Sequence, residues 1–197
     1  IPVGAEVVIR DKSELTNDNS ELLVVFDTFD QLDSKTESMI EYGTRFSYLH
    51  IAEQTKSRGG KVILQHMFSP VGIGRTRGEE LRKRGLADAV EWNLQLEWTE
   101  KGRKENERAL EFARELGLPV IYGCDNYYAE AKAIMIVDSE DPREAFWKLF
   151  EGGEVDYEVG RPSRWNRIRQ LGNGVIHEPS KTLSILRYYS PFNHILF

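Results

Sequence analysis

Two polar side chains that can do acid–base or metal chemistry directly follow short apolar runs. Asp125 lies in a polar loop after Val120 to Tyr122, and His66 follows Lys61 to Gln65. In alternating α/β proteins, the loop beyond the carboxyl end of a strand is where ligands bind. Imidazole is also a preferred ligand for Zn, Fe and Mn, although a structural histidine fits the same position. These two residues are the first candidates for a site.

The segment before Asp125 reads as a helix followed by a buried strand. Apolar residues recur at helical spacing over Gly102 to Leu116. Gly117 is placed to end this helix with a positive φ, and Pro119 blocks its continuation. The pattern therefore predicts one helix–strand unit that delivers Asp125 to a ligand-binding edge.

The remaining pattern predicts alternating strands and helices. Asp141 and Pro142 have the residue types of an N-cap and a first helical position. A longer helix is expected over residues 34–58, with His50 as a half-buried or surface residue. Strands are expected at Val3 to Ile9, Leu22 to Phe29, Lys61 to Gln65, Asp88 to Trp92, Val120 to Tyr122, Ala133 to Val137 and Glu154 to Val159.

A glycine-rich loop after His66 holds two arginines. Over Phe68 to Gly78, flexible backbone carries Arg75 and Arg77, whose guanidinium groups can bind phosphate in a bidentate manner. The other interpretation is a solvated loop that leads into a short basic helix over residues 79–84. The sequence leaves both interpretations open.

Composition limits the classes of protein that fit. The chain has 197 residues and a net charge of −6, which argues against a nucleic-acid binder that uses its whole surface. No apolar run approaches the roughly 20 residues that span a bilayer. The single Cys124 excludes an internal disulfide and fits a reducing compartment. We therefore expect a cytoplasmic protein that does not contact a membrane.

The last 37 residues differ in charge from the rest. Residues 161–197 carry six Lys or Arg and one acid, and they interleave these with aromatic residues. Such a segment can bind single-stranded nucleic acid, or it can pack on the domain or on another subunit. The expected organisation is an α/β domain over residues 1–160 and a basic, aromatic C-terminal extension over residues 161–197.

Several short motifs resemble the PHP (polymerase and histidinol phosphatase) family. Its late loop usually reads Gly-Ser-Asp-Ala-His, and this chain has Gly-Cys-Asp-Asn-Tyr at residues 123–127, so Tyr127 replaces the His. His66 follows a Gly-Gly and an apolar strand, as in the family. Glu91 and Asn93 match a Glu-x-Asn pattern, and Glu6 matches a Gly-x-Glu strand. The resemblance covers about residues 1–155.

The resemblance implies a fold and a metal site. PHP domains are distorted (β/α)7 barrels of parallel strands that hold divalent ions and hydrolyse phosphate esters. It implies Glu6, His66 and Asp125 as metal ligands and His66 and Asp125 as catalytic residues. Glu91, Asn93 and Tyr127 become supporting positions, although strand alternation permits an outward Glu91.

Some motifs of the PHP family have no counterpart in this sequence. The family's early His-x-His and Asp-His pairs would lie upstream of Ile1, which has no Met before it. An incomplete barrel of this kind exposes strand edges. We therefore expect a partner chain or a missing N-terminal segment to complete it.

Two hypotheses for function follow. The first is a phosphoesterase that uses Zn, Mn or Fe and binds its phosphorylated substrate with Arg75 and Arg77. The second is a catalytically inactive PHP-like module without a metal, which binds nucleic acid or a protein through residues 161–197.

Overall fold

The computed structural model describes residues 2–10, 19–32, 47–123, 132–136, 139–152 and 156–160. Within them, the strands are β1 (Val3–Arg10), β2 (Asn19–Phe26), β3 (Lys61–Leu64), β4 (Ala89–Asn93), β5 (Val120–Gly123), β6 (Lys132–Ile136) and β7 (Asp156–Gly160). The α-helices are α1 (Tyr48–Ser57), α2 (Gly74–Lys83), α3 (Glu100–Leu116) and α4 (Pro142–Lys148). Two 3₁₀ turns lie at Phe29–Leu32 and Leu94–Trp98.

The strands form an open mixed sheet, so the predicted parallel (β/α)7 barrel is wrong. In the described part of the chain the order is β1-β2-β3-β4-β5, and β6 pairs with β7 in a separate two-stranded sheet. β1 and β2 are antiparallel, as are β2 and β3, and only β3, β4 and β5 run parallel. The connection between β1 and β2 is too short for a helical crossover, which a parallel pair requires. An open sheet also removes barrel closure as a reason to expect a partner chain.

One face of this sheet, here called the helix-covered face, packs against α1, α2 and α3. Each strand contributes alternate residues to it, because side chains alternate between the faces of a sheet. The helices contribute one apolar side each, as amphipathic helices do. The buried residues of this core include Val7, Ile9, Leu22, Val24, Val62, Leu64 and Val90 from the strands and Ile51, Ala52, Leu81, Phe112 and Ala113 from the helices.

The second face is divided into an apolar end and a polar end. At the apolar end, Val25, Ile63 and Ala89 are buried against Phe146 at α4 and Phe150 just beyond it. Continuing along the strands on the same face, the alternation gives Glu6, Glu21, Gln65 and Glu91. We call this end of the face the polar end, and it lies beside the carboxyl ends of β3 and β4.

Local capping agrees with several predicted helix boundaries. Gly117 ends α3 with φ 60°, which confirms its expected role. Asp141 caps α4 by accepting a hydrogen bond from the backbone N–H of Arg143 at 2.8 Å. The described helix in residues 34–58 begins at Tyr48, because Ser47 caps it, and residues 33–46 lie outside the described ranges. In the part of the chain that the structure describes, no helix combines the length and apolar character needed to cross a membrane.

The loop predicted over Phe68 to Gly78 is partly wrong, because α2 already begins at Gly74. Gly74 has φ 78°, a backbone conformation that glycine adopts without strain. The early start places Arg75 and Arg77 on a helix rather than on a flexible loop.

Candidate metal site at the polar end of the sheet

Glu6, Glu21 and His66 converge on one point at the polar end. One ligand atom of each side chain lies within 4.8 Å of the corresponding atoms of the other two. The Nε2 atom of His66 lies 3.2 Å from Oε2 of Glu21, and both side chains are buried. Glu6 is exposed. Three segments that are distant in sequence therefore supply two carboxylates and one imidazole.

The antiparallel register of β1 and β2 brings the two carboxylates together. Glu6 lies opposite Leu23, and Val8 lies opposite Glu21. Directly opposite residues share a face, so Glu6 and Glu21 are diagonal neighbours on the same face. A shift of one residue in either strand would move its glutamate into the apolar core.

His66 is held in a strained conformation by its neighbours. Its φ is 25°, in a region that non-glycine residues seldom adopt. Its backbone N–H donates to Oε2 of Glu91 at 2.9 Å, and Nδ1 lies 3.1 Å from the hydroxyl oxygen of Ser69. A hydroxyl can donate or accept, so Ser69 serves either tautomer of the imidazole. The ring is thus oriented with Nε2 toward Glu21, and strain of this kind clusters at functional sites.

The loop after His66 is compact and tied to β2. The carbonyl of His66 accepts from the backbone N–H of Ser69 at 2.8 Å, and the N–H of Glu21 donates to the carbonyl of Val71 at 2.8 Å. A Cβ atom at Gly72 would lie 2.4 Å from the carbonyl oxygen of His66. Only glycine permits this close approach, which fixes His66 beside the start of β2.

Glu91 and Asn93 hold the end of β4 against this loop. Glu91 is buried on the second face and accepts hydrogen bonds from the backbone of His66 and from Nδ2 of Asn93, the latter at 3.3 Å. Asn106 on α3 in turn donates to the carbonyl of Asn93 at 2.9 Å and accepts from its N–H at 3.0 Å. A chain of buried polar contacts therefore connects α3 to His66. The alternative of an outward, solvated Glu91 is wrong.

The carboxyl end of β5 also reaches the polar end. A Cβ atom at Gly123 would lie 2.1 Å from Oε1 of Glu91, so the Glu91 carboxylate rests directly on this glycine. Asp125 and Tyr127 follow within four residues, and both lie outside the described residues. Their predicted roles stay predictions.

The two arginines predicted to bind phosphate make contacts on the helix-covered side. Arg75 donates to Glu115 on α3 at 2.9 Å and to Glu79 at 3.0 Å. Arg77 donates to the hydroxyl of Ser20 at 2.8 Å. Ser20 precedes Glu21 on β2, so its side chain points to the opposite face. The structure does not bring these guanidinium groups to the Glu6–Glu21–His66 cluster.

The donor set suits a divalent cation. Carboxylates of Glu6 and Glu21 lie beside the imidazole of His66, and that of Glu91 contacts the backbone of the same residue, so the local charge favours a cation. A tetrahedral ion with bonds of about 2.1 Å places its ligand atoms about 3.4 Å apart. The Glu21–His66 pair, at 3.2 Å, matches this spacing, and the ligand atom of Glu6 lies within 4.8 Å of both.

Sequence reasoning named Glu6 and His66 but missed Glu21 and Gln65. Glu21 directly precedes the apolar run of β2, and the predicted strand begins one residue after it, at Leu22. A signal was present, since a short connection between two strands predicts antiparallel pairing and alternation then gives the faces. Gln65 carries no motif of its own.

The comparisons with known proteins find a solved structure with a similar fold but no matching family. No family model matches the chain, and no curated protein matches it. A solved structure, "Crystal Structure of PsfC from Pseudomonas syringae PB-5123", matches with a TM-score of 0.55 at 12% sequence identity. The match covers 90% of this chain and 65% of the PsfC chain, so this chain spans about two thirds of that structure's length. At this identity the similarity concerns the fold alone.

Proposed function

We propose that the protein binds a divalent metal ion through Glu6, Glu21 and His66 and hydrolyses phosphate esters with it. The convergence of these three side chains within 4.8 Å supports this proposal. The position also supports it, because the cluster lies beside the carboxyl ends of the parallel strands β3 and β4, where α/β sheets bind ligands.

Three protein ligands leave a coordination position for water or substrate. A bound ion would supply Lewis acidity toward a phosphoryl oxygen and would lower the pKa of a bound water. The residues of the chain supply orientation: Ser69 holds the imidazole through Nδ1, and Glu91 holds the backbone of His66. Such partners of metal ligands typically change metal affinity or activity about 10- to 100-fold when they are removed.

The substrate class rests on the sequence resemblance to phosphoesterases, while the metal site rests on the cluster. These two parts of the proposal are therefore tested separately. The role of Asp125 as a catalytic residue belongs to the proposal and stays a prediction. The alternative of a binding module stays a prediction, because residues 161–197 lie outside the described part of the chain.

The test is hydrolysis of a phosphate monoester and a phosphate diester, such as p-nitrophenyl phosphate and bis-p-nitrophenyl phosphate. Protein stripped with EDTA is assayed alone and after addition of Zn²⁺, Mn²⁺ or Fe²⁺. We expect activity only with added metal, and a loss of about 100-fold or more in His66→Asn and Glu21→Gln.

His50→Asn is the matched control, because His50 lies on α1 at the helix-covered face. It should retain the activity of the parent protein. Equal activity with and without EDTA, or an equal loss in all three variants, would contradict the metal-dependent mechanism. Metal binding without hydrolysis of either ester would contradict only the substrate class.

A further inference from the structure

Gln65 is a buried amide at the polar end that the proposed ligand set does not use. It is 5% exposed and immediately precedes His66. Its Nε2 atom donates to Oε2 of Glu6 at 2.9 Å. Its Oε1 atom is buried and has no hydrogen-bond donor among the described residues. One half of this amide is therefore paired with a proposed ligand, and the other half has no partner there.

The orientation of the amide is set by Glu6. A carboxylate only accepts hydrogen bonds, so the NH₂ group must face it, and the carbonyl oxygen must take the other position. Rotating the amide by half a turn would place its oxygen against the oxygen of Glu6. A buried acceptor without a donor is costly and calls for an explanation, of which a bound ion is one.

The position of Oε1 also fits an ion at the cluster. The nitrogen and oxygen of an amide are held about 2.2 Å apart by the covalent geometry. Since Nε2 contacts Glu6, Oε1 lies within about 5 Å of the Glu6 carboxylate. The ligand atoms of Glu6, Glu21 and His66 lie within 4.8 Å of one another, so a position of Oε1 beside Glu6 is compatible with a shared ion.

We propose that Oε1 of Gln65 is a fourth protein ligand, so that the site binds a hard divalent cation, with Mn²⁺ as its representative. The inference rests on the proposed metal site and specifies its chemistry. Carboxylate and carbonyl oxygens suit Mg²⁺, Ca²⁺ and Mn²⁺, whereas thiolates and a larger number of imidazoles suit softer ions. Three oxygen atoms and one nitrogen atom form a set of this harder type. Nε2 meanwhile holds the exposed Glu6 in place.

The experiment titrates the full chain with Mn²⁺ and follows the signal of free Mn²⁺ by electron paramagnetic resonance. We expect Gln65→Leu to weaken Mn²⁺ binding about tenfold or more. Gln65→Glu keeps an oxygen ligand but loses the hydrogen bond to Glu6, and it should bind Mn²⁺ at least as tightly as the parent. This pair separates a ligand oxygen from a residue that only positions Glu6.

The test includes a control variant and a replacement for Gln65→Leu. Gln31→Leu makes the same change at the apolar end of the second face, where the Gln31 amide accepts from Asp27 and donates to Arg58, and it should leave Mn²⁺ binding unchanged. Gln65→Met is measured in parallel, with circular dichroism melts for all variants, in case Gln65→Leu does not fold.

Equal weakening in Gln65→Leu and Gln65→Glu, or no weakening in Gln65→Leu and Gln65→Met, would overturn the ligand role while leaving the three-residue site intact. A parent chain that binds no Mn²⁺, Zn²⁺ or Fe²⁺ would instead overturn the metal site itself.

Discussion

The strand residues buried on the helix-covered face are apolar apart from Ser20, whereas the second face is apolar at one end and polar at the other. On the first face, α1, α2 and α3 cover alternate strand residues such as Val62 and Leu64. On the second face, Ile63 of β3 packs against Phe146 and Phe150. Gln65, two residues later in the chain, is buried on the same face. Strand residues are buried on both faces, but among the described residues only the second face buries carboxylates from the strands, those of Glu21 and Glu91.

If the proposed metal site is correct, this difference separates residues that stabilise the fold from residues that bind the ion. Burying a carboxylate costs free energy unless it is paired, and apolar residues of similar volume often stabilise such positions equally well. Glu21 and Glu91 are both buried on the second face. Glu21 lies beside His66 and Glu91 accepts two hydrogen bonds, and the cation proposed above would add a positive charge next to them.

The largest expected effect comes from the helix-covered face. Phe112 is fully buried between α3 and the sheet, so Phe112→Ala should lower the free energy of unfolding by about 3–5 kcal/mol. Phe146→Ala, at the half-buried apolar end of the second face, should cost about 1–2 kcal/mol. Urea denaturation followed by circular dichroism measures both.

The matched change at the polar end is Glu21→Leu. In metal-free protein it should lower the free energy of unfolding by about 1–3 kcal/mol, because the buried Nε2 of His66 loses the Glu21 oxygen that lies 3.2 Å from it. Metal binding should be lost. A destabilisation as large as that of Phe112→Ala would mean that Glu21 is kept for the fold.

An intermediate effect is expected for Gly123→Ala. The added Cβ atom would lie 2.1 Å from Oε1 of Glu91, and the flexible end of that side chain would move away. Glu91 would then no longer accept from the backbone of His66, which leaves a buried donor unsatisfied at a cost of about 1–2 kcal/mol.

Gly123→Ala should also weaken metal binding about tenfold, since the imidazole loses its support. Calorimetric metal titration and urea denaturation test the two effects. Unchanged metal affinity would show that Glu91 does not position His66. Gly152→Ala is a poor control because Gly152 has a positive φ. Ala109→Gly on α3 is used instead, to measure how far a loss of stability alone weakens metal binding.

Much of the local structure could be predicted from the sequence. The strands at residues 61–64, 89–93 and 120–123 and helix α3 follow their apolar periodicity, and Gly117 and Asp141 follow capping preferences. These features depend on neighbouring residues alone. Strand direction does not, and the family resemblance led to a parallel barrel where the short connection before β2 makes an antiparallel pair.

The site could be predicted in part, because some of its residues are marked by local sequence features and others are not. Glu6 and His66 stand out by residue type and by their place in or after a strand. Glu21 becomes visible only once the β1–β2 register is known, and the unusual φ of His66 has no sequence signal. The contact of Gln65 with Glu6 links residues 59 positions apart, which no local pattern reports.

The smallest expected effect on stability concerns the apolar end, where a salt bridge connects α4 to Asp27, the residue after β2. Arg143 and the indole N–H of Trp147 donate to the Asp27 carboxylate, the latter at 3.1 Å. The hydrogen bonds from Arg143 and then Trp147 hold the pKa of Asp27 below its usual value of 3.8.

A lowered pKa in the folded state means that this contribution is present above about pH 4 and is lost as the pH falls through the folded value. The parent protein should therefore lose more stability than Asp27→Asn between pH 5 and strongly acidic pH, roughly pH 2–3. Urea denaturation across this range measures the difference. Parallel curves for the two proteins would show that the Asp27 contacts do not contribute.

The central claim is that Glu6, Glu21 and His66 bind one ion at the polar end of the second face. Its most direct test is anomalous diffraction at the Mn or Zn absorption edge from crystals grown with that metal. The account predicts one anomalous peak about 2.0–2.5 Å from a carboxylate oxygen of each glutamate and from Nε2 of His66. A peak bound by other residues, or no peak in crystals that contain the metal at millimolar concentration, would contradict it.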